Sequence, residues 1–396
     1  MIEYDIPIVE EDIPVAVPYP GDFTSSTQEQ HSTIPLRDPT LSSDQIKALI
    51  EEQGYTKGLC KALSESISDF ALRIWVIDNS GSMANNDGQK LISDSRSEGL
   101  RSIQCTRWNE IQETVEYHSQ MAALMKAPTI FRLLNDPGPN VGPQVCSIAE
   151  TRSDDNGGDM IEQDLNLVRS IMAKAHPTGA TPLITHINEI REQVEALEPM
   201  LRRDGRRVAI ILATDGLPTN PPGFKIGNER ENFTAAMKSL EGLPVWIVIR
   251  LCTDSEHIVN YYNDLDKQME LSIEVLDNYT DEAMEMFRSN PWLNYTLQLH
   301  RMREMGLQKR LFDVLDERPL TLSELHDYCI MVFGEDALMD VPSPERNFKE
   351  FCKAIKPLVK GEEKQWHPVR MMMKDLVSVD KMKRVYGDGG CMCNIM

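Results

Sequence analysis

The stretch that decides the fold is Ala71-Leu72-Arg73-Ile74-Trp75-Val76-Ile77, which leads directly into Asp78. Its nearly continuous apolar character is typical of a strand that is buried on both faces of a sheet. A second run of this kind, Val208-Ala209-Ile210-Ile211-Leu212-Ala213, lies in the predicted strand 207–213. Amphipathic helices are predicted between such strands, so strands and helices alternate along the chain. The alternation predicts an α/β fold that is Rossmann-like, with a mostly parallel central sheet and helices on both faces.

The same patterns predict the other elements of this region. Short apolar runs bounded by turn residues predict strands at 129–134, 145–148, 245–251 and 273–276. Apolar residues at helical spacing predict helices at 107–126, 162–175, 182–201, 229–240, 256–268 and 281–288. Capping boxes at Ser42/Gln45 and Thr321/Glu324 predict two helix starts outside this region.

We divide the chain into five segments. Residues 1–40 carry six prolines and several acids, so we expect a disordered tail. A helical preamble at 41–70 precedes the α/β domain at 71–290. Residues 291–386 are expected to form a helical extension without strands. Residues 387–396 begin with a Gly-rich spacer and are expected to be a flexible tail.

Composition narrows the possible functions. The chain has 396 residues and a formal net charge of −21, and such an acidic surface repels nucleic-acid phosphates. Its apolar runs are far shorter than the roughly 20 residues needed to cross a bilayer. The N-terminus has no signal-peptide pattern, and the eight cysteines form no Cys-x-x-Cys pair. We therefore expect a protein of the cytosolic side, without disulfides or a zinc site.

Three loops of the predicted sheet carry oxygen ligands. The first strand ends in Asp78-Asn79-Ser80-Gly81-Ser82, and the strand 207–213 leads into Thr214-Asp215-Gly216. A turn before a helix reads Pro177-Thr178-Gly179-Ala180-Thr181-Pro182-Leu183. Ligands of open parallel sheets bind at the carboxyl ends of the strands. Carboxylate and hydroxyl oxygens suit Mg²⁺, Mn²⁺ or Ca²⁺. Singly, the serines could cap a helix and Asp-Gly could form a turn, but their joint placement favours metal binding.

The same three segments resemble a known family. Ile77–Met83, Gly179–Leu183 and Ala213–Gly216 are similar to the metal-ion-dependent adhesion site of von Willebrand factor A (vWA) domains of the intracellular type. The resemblance covers about residues 71–290. The long Gly/Pro-rich stretch 136–160 is a departure from the family pattern, and it either contributes to a partner surface or is a variable loop.

The resemblance implies a set of ligands and a mode of binding. The implied metal ligands are Asp78, Ser80, Ser82, Thr181 and Asp215. Family behaviour further implies a vacant coordination position that an acidic residue of a protein partner completes. The implied cofactor is Mg²⁺, or alternatively Mn²⁺ or Ca²⁺.

The last four residues carry a second signal. Cys393-Asn394-Ile395-Met396 is a C-a-a-X pattern, in which the terminal Met favours farnesylation of Cys393. One prenyl chain anchors weakly, and palmitoylation of Cys391 could supply a second anchor. The pattern could also arise by chance, but the flexible spacer favours lipidation. We expect peripheral attachment to the cytoplasmic face of a membrane.

The sequence is compatible with three functions. The preferred one is a non-enzymatic adaptor that binds a protein partner through the metal. An alternative is a subunit of an ATPase or ubiquitin-ligase assembly, as for intracellular relatives of this domain. A Mg²⁺-dependent hydrolase is less favoured, because the sequence has no phosphate-binding loop and no nucleophile elbow.

Overall fold

The computed structural model describes residues 41–94, 99–150, 157–219, 227–253 and 255–387. The expected tail at 1–40 lies outside the described residues, as do Cys391 and Cys393. Those expectations therefore remain predictions.

The described residues contain one large sheet and two small hairpins. The strands are β1 (Phe70–Ile77), β2 (Gly88–Asp94), β3 (Gly99–Cys105), β4 (Thr129–Leu133), β5 (Val145–Ile148), β6 (Arg207–Thr214), β7 (Val245–Leu251), β8 (Ile273–Leu276), β9 (Gln365–His367) and β10 (Met372–Lys374). Six of them form the central sheet in the order β5-β4-β1-β6-β7-β8. All neighbours in this sheet are parallel except β4 and the edge strand β5. The prediction of an α/β fold with a mostly parallel sheet is confirmed.

Helices alternate with the strands and continue to the end of the described chain. They are α1 (Ser43–Glu51), α2 (Lys57–Asp69), α3 (Arg107–Met125), α4 (Gly157–Lys174), α5 (Leu183–Asp204), α6 (Glu229–Lys238), α7 (Glu256–Asp266), α8 (Tyr279–Ser289), α9 (Leu297–Glu304), α10 (Phe312–Leu315), α11 (Leu322–Phe333), α12 (Glu335–Leu338), α13 (Pro344–Gly361) and α14 (Val379–Tyr386). The capping boxes at α1 and α11 form as predicted. None of the helices in the described part of the chain is long and apolar enough to cross a membrane.

Successive side chains of β1 pack on opposite faces of the sheet, as strand geometry requires. Ile74 and Val76 belong to a core cluster that includes residues of α5, α6 and α7. Trp75 and Ile77 belong to another that includes residues of α3 and α4. Both faces of the central strand are therefore covered by helices, which explains why β1 is buried along its whole length.

The preamble and the extension share a third hydrophobic core. Leu59 and Leu63 of α2 belong to the same cluster as Tyr328 of α11 and Phe351 of α13. A Cβ on Gly58 would lie 2.5 Å from the carbonyl oxygen of Met331, so only glycine permits this approach of α2 to α11. Two segments that are far apart in sequence thus fold together.

Two hairpins correct the predicted elements. Residues 88–105 contain the antiparallel pair β2–β3, which no predicted strand covered. The expectation that strands end at residue 291 is wrong, since β9 and β10 pair at 365–374. β9 and β10 have only three residues each, and β2 and β3 show no regular alternation of apolar and polar residues, so the pattern of both hairpins is weak in the sequence.

Candidate metal centre

The two carboxylates of the predicted site lie at the carboxyl ends of adjacent strands. Asp78 directly follows β1, and Asp215 directly follows β6. β1 and β6 are parallel neighbours, and the amide of Asp78 donates to the carbonyl of Ala213 at 2.9 Å. The chain turns from β1 to β4 on one side and later returns to β6 on the other. This is a switch point of the strand order, where open parallel sheets bind ligands.

Asp78 is fully buried and accepts hydrogen bonds from neutral donors. The amide of Ser80 donates to its Oδ1 at 2.8 Å, and the Thr214 hydroxyl donates to its Oδ2 at 2.6 Å. Burial raises the pKa of Asp78, the two hydrogen bonds oppose that shift, and the nearby charge of Asp215 adds to it. Among the described residues, no cation forms an ion pair with Asp78.

A chain of hydroxyls links the first loop to Asp215. Ser82 Oγ donates to Asp215 Oδ1 at 2.7 Å, and the hydroxyl oxygens of Ser80 and Ser82 lie 3.0 Å apart. Because the Ser82 hydroxyl donates its proton to Asp215, it accepts the hydrogen bond from the Ser80 hydroxyl. Oxygen ligands about 2.1 Å from an octahedral Mg²⁺ lie about 3 Å from their neighbours. The observed spacing therefore matches that of adjacent ligands in such a shell.

Thr181 is brought to the same edge by the loop before α5. The amide of Gly81 donates to the carbonyl of Gly179 at 3.1 Å, which joins this loop to the first one. Gly179 has a φ of 82°, a conformation that favours glycine. A Cβ on Gly216 would lie 3.7 Å from the Thr181 hydroxyl oxygen, so this hydroxyl lies beside the end of β6. The structure thus brings the five predicted ligands together at one edge.

Two asparagines that the sequence did not single out join these loops. The Asn79 side chain donates to the carbonyl of Asn135 at 3.0 Å and accepts from the Asn135 amide at 2.8 Å. Asn135 Nδ2 in turn donates to the carbonyl of Ala180 at 2.8 Å. Asn79 has no exposed surface, so this pair of asparagines joins the loops beneath the protein surface. Loop-to-loop contacts of this kind have no local sequence signal.

An arginine also reaches the site, and the sequence did not predict it. Arg107 Nη1 lies 2.7 Å from Asp215 Oδ2, while its Nε and Nη2 donate to the carboxylate of Asp87 at 2.6 and 2.5 Å. The hydrogen bond from Arg107 lowers the pKa of Asp87, and the two carboxylates raise the pKa of Arg107. The sequence predicted Arg107 only as the first residue of an amphipathic helix. Its contact with Asp215 depends on tertiary folding.

The donor set fits a hard divalent cation. Two carboxylates and three hydroxyls provide oxygen ligands alone, which is the chemistry that Mg²⁺, Mn²⁺ and Ca²⁺ prefer. Within the described ranges, no group of three or more His, Cys, Asp or Glu side chains is arranged to hold a metal. The candidate site would not form such a group, because it has only two carboxylates. Arg107 already balances part of the charge of Asp215, and a cation there would share that carboxylate.

No protein-family model matches the chain, and no curated protein matches its sequence at a significant level. The class of protein that the fold and the site define is an α/β protein with an oxygen-rich edge at the switch point of a parallel sheet.

Proposed function

We propose that residues 71–290 form a vWA-type domain whose metal-ion-dependent adhesion site binds a protein partner. The observation that carries the proposal is the meeting of Asp78 and Asp215 with three hydroxyls at the ends of β1 and β6. The resemblance of the three loops to the family motif supports it. The parallel sheet with helices on both faces is compatible with that family.

In this proposal the chain's own residues prepare a cation site. Asp78 and Asp215 supply charge, and Ser80, Ser82 and Thr181 supply neutral oxygens. Burial of Asp78 beside Asp215 is unfavourable, because both carboxylates lie in a region of low dielectric and Arg107 pairs with Asp215 but not with Asp78. A bound Mg²⁺ would supply a positive charge and an open position for a carboxylate of the partner.

The resemblance to the vWA family implies an acidic partner, and the charge of the chain indicates why such a partner would need a cation. The chain carries a net charge of −21, so an acidic partner would be repelled from most of its surface. A divalent cation at this edge would provide a local positive site for an Asp or Glu side chain. We therefore propose an acidic segment of a protein as the partner.

The proposed role is that of a non-enzymatic adaptor. Asp78 accepts two hydrogen bonds from neutral donors, and Asp215 accepts from Ser82 and pairs with Arg107. We propose that both carboxylates hold a cation, and we assign neither of them a role in proton transfer. Membership of an ATPase or ubiquitin-ligase assembly is compatible with the same site.

A lipid anchor at the C-terminus is part of the proposal. Farnesylation of Cys393, with Cys391 as a second lipidation site, would hold the adaptor at the cytoplasmic face of a membrane. Replacing Cys393 with Ser should reduce the amount of the protein in the membrane fraction of cells that carry out prenylation. Undiminished membrane fractionation of Cys393→Ser would refute the anchor.

The metal-dependent interaction is tested on the full chain. Thermal unfolding and pull-down from lysate are measured in Mg²⁺ and in EDTA for the unmodified protein, Asp78→Ala and Ser82→Ala. Asp264→Ala, which removes an exposed carboxylate on α7, is the matched control. We expect Mg²⁺ to stabilise the unmodified protein and the control, and to retain partners that EDTA releases.

Two results would overturn the proposal. An Mg²⁺-dependent shift of the melting temperature that persists in Asp78→Ala would place the cation elsewhere. Partners that bind equally in Mg²⁺ and EDTA would separate the interaction from the metal.

A further inference from the structure

The β9–β10 hairpin presents an apolar tip between two cations. Met371, Met372 and Met373 are 67%, 47% and 37% exposed, and they lie between Arg370 and Lys374, which are also exposed. Single exposed apolar residues are common on protein surfaces, but a run of three large ones is not. Methionine is flexible and polarisable, and it adapts to irregular apolar surroundings. The tip is therefore suited to an apolar environment.

A cavity of about 370 Å³ lies beside this hairpin. It is lined by residues 291–294 and by three cationic side chains, Arg370, Lys374 and Lys381. Asp375 is the one carboxylate among the lining residues. We call this space the cationic cavity.

The cations of the cavity are held close together. The guanidinium of Arg370 and the ammonium of Lys381 lie 4.9 and 4.8 Å from the centre of the Phe287 ring. Lys381 Nζ also donates to the carbonyl of Pro291 at 2.8 Å. In the described part of the chain, Arg370, Lys374 and Lys381 form no ion pair. Asp375, although it lines the same cavity, is therefore not within ion-pairing distance of any of them.

The positive charges of the cavity also contribute to the lowered pKa values of two groups beside it, Lys381 and His367. Burial and then the charges of Arg370 and Lys374 lower the pKa of Lys381. Burial lowers the pKa of His367 to about 4, with the same cations and Lys381 contributing. His367 is 5% exposed, and its Nδ1 has no hydrogen-bond partner among the described residues. An anion in the cavity would relieve the repulsion.

We propose that this hairpin binds the surface of a membrane that contains anionic phospholipids, with a lipid phosphate in the cationic cavity and Met371–Met373 in the interface. Charge complementarity favours this occupant, because cations attract anionic lipids. The methionine tip distinguishes it from a free phosphate or a phosphorylated peptide, neither of which would need three exposed methionines. The surface requires neither the metal nor lipidation of Cys393.

The test uses the full chain produced in bacteria, so that no prenyl group is attached to Cys393. Co-sedimentation is measured with vesicles of phosphatidylcholine alone and with vesicles that also contain phosphatidylserine. The variants are Arg370→Glu/Lys374→Glu and Met371→Ser/Met373→Ser. Lys174→Glu/Lys238→Glu is the control, because it makes the same change of charge at exposed positions on α4 and α6. Thermal unfolding of each variant verifies its fold.

We expect binding to the phosphatidylserine vesicles alone. The charge-reversed hairpin should bind at least about tenfold more weakly, since each cation near an anionic surface contributes several-fold. The methionine variant should also bind more weakly, and the control should bind as the unmodified protein does.

Equal binding to both vesicle types, or equal loss in the control, would overturn the proposal. Inorganic phosphate is titrated in a separate arm with thermal unfolding as the readout. Stabilisation by phosphate without any vesicle binding would assign the cavity to a soluble phosphorylated ligand and would also overturn it.

Discussion

Two buried carboxylates of this molecule have different partners: Glu304 is surrounded by cationic side chains, and Asp78 accepts hydrogen bonds from neutral groups. Glu304, at the end of α9, is fully buried and lies 2.9 Å from Arg301 Nη1 and 2.8 Å from His118 Nε2. Arg250 and His300 each approach it to 3.4 Å. Asp78 is buried to the same extent, but its partners are a backbone amide and the Thr214 hydroxyl.

The two pKa values show the consequence of this difference. Burial alone would raise the pKa of Glu304, but Arg301, His300 and His118 hold it well below its usual range. At Asp78 the effect of burial prevails, and the pKa is raised. Glu304 therefore has its cations built into the protein, whereas Asp78 lies at an edge where an external cation would be stabilising. The first arrangement supports the fold, and the second is the one that the proposed function assigns to cation binding.

The largest expected effect comes from removing the charge of Glu304. Glu304→Gln removes the carboxylate that forms the ion pair with Arg301, whereas Arg250 keeps its ion pair with Glu110. Leaving the buried guanidinium of Arg301 without that partner should cost roughly 3–5 kcal/mol of the free energy of unfolding. Urea denaturation measures the loss, and Glu231→Gln on the exposed face of α6 is the control. A loss below about 1 kcal/mol would show that Glu304 is not the electrostatic centre of its cluster.

The Glu304 cluster should also make the fold sensitive to acid. Burial lowers the pKa of His118 to about 4, so the unfolded chain takes up its proton first as the pH falls. Stability should therefore fall between about pH 6.5 and pH 4, by up to about 3 kcal/mol from this residue. His118→Gln should flatten this part of the profile of unfolding free energy against pH. An unchanged slope in the variant would assign the acid sensitivity to other groups.

A smaller effect on the free energy of unfolding is expected at the candidate metal site. At an Mg²⁺ concentration 100 times its Kd, binding stabilises a protein by about 2.7 kcal/mol. Asp78→Asn should lose this increment while its stability in EDTA stays close to that of the unmodified protein, because no cation is left unpaired. Differential scanning calorimetry in Mg²⁺ and EDTA checks both expectations. A large loss of stability in EDTA would place Asp78 in the same structural role as Glu304.

The smallest effect is expected at Arg107. This arginine is a cation of the protein itself, as in the Glu304 cluster, but it pairs with Asp215 of the candidate metal site. Arg107→Met should raise the affinity for Mg²⁺ about tenfold, or about 1.4 kcal/mol, because Asp215 no longer shares its charge with a guanidinium. Isothermal titration calorimetry measures the change. Asp87→Asn keeps the contact between Arg107 and Asp215, so it should not raise the affinity. Weaker binding in Arg107→Met would mean that the arginine positions Asp215 for the cation.

The sequence predicted the central sheet well because its strands are buried on both faces. The apolar runs of β1, β6 and β7 and the turns that follow them are local signals. Asp78 and Asp215 could be placed at one edge because the carboxyl ends of parallel strands coincide. The metal, the partner and the lipid anchor remain predictions.

Other features depend on contacts between distant parts of the chain. The contact between Arg107 and Asp215 spans 108 positions, and Glu304 and His118 are 186 positions apart. The strands of the β9–β10 hairpin are too short for a clear alternation of apolar residues, and the seven-residue strands of β2–β3 show none. No window of local sequence contains these relations, so pattern and propensity could not reveal them.

The core shared by α2 and α11 cannot form until late in synthesis of the chain. The Thr56 hydroxyl bonds to the carbonyl of Val332, 276 positions later in the chain. At about 5–20 residues per second, the ribosome needs roughly 14–55 s to deliver that partner. During this time the apolar face of α2, with Leu59 and Leu63, emerges without the helix that covers it. We expect chaperones that hold nascent chains to bind this segment first.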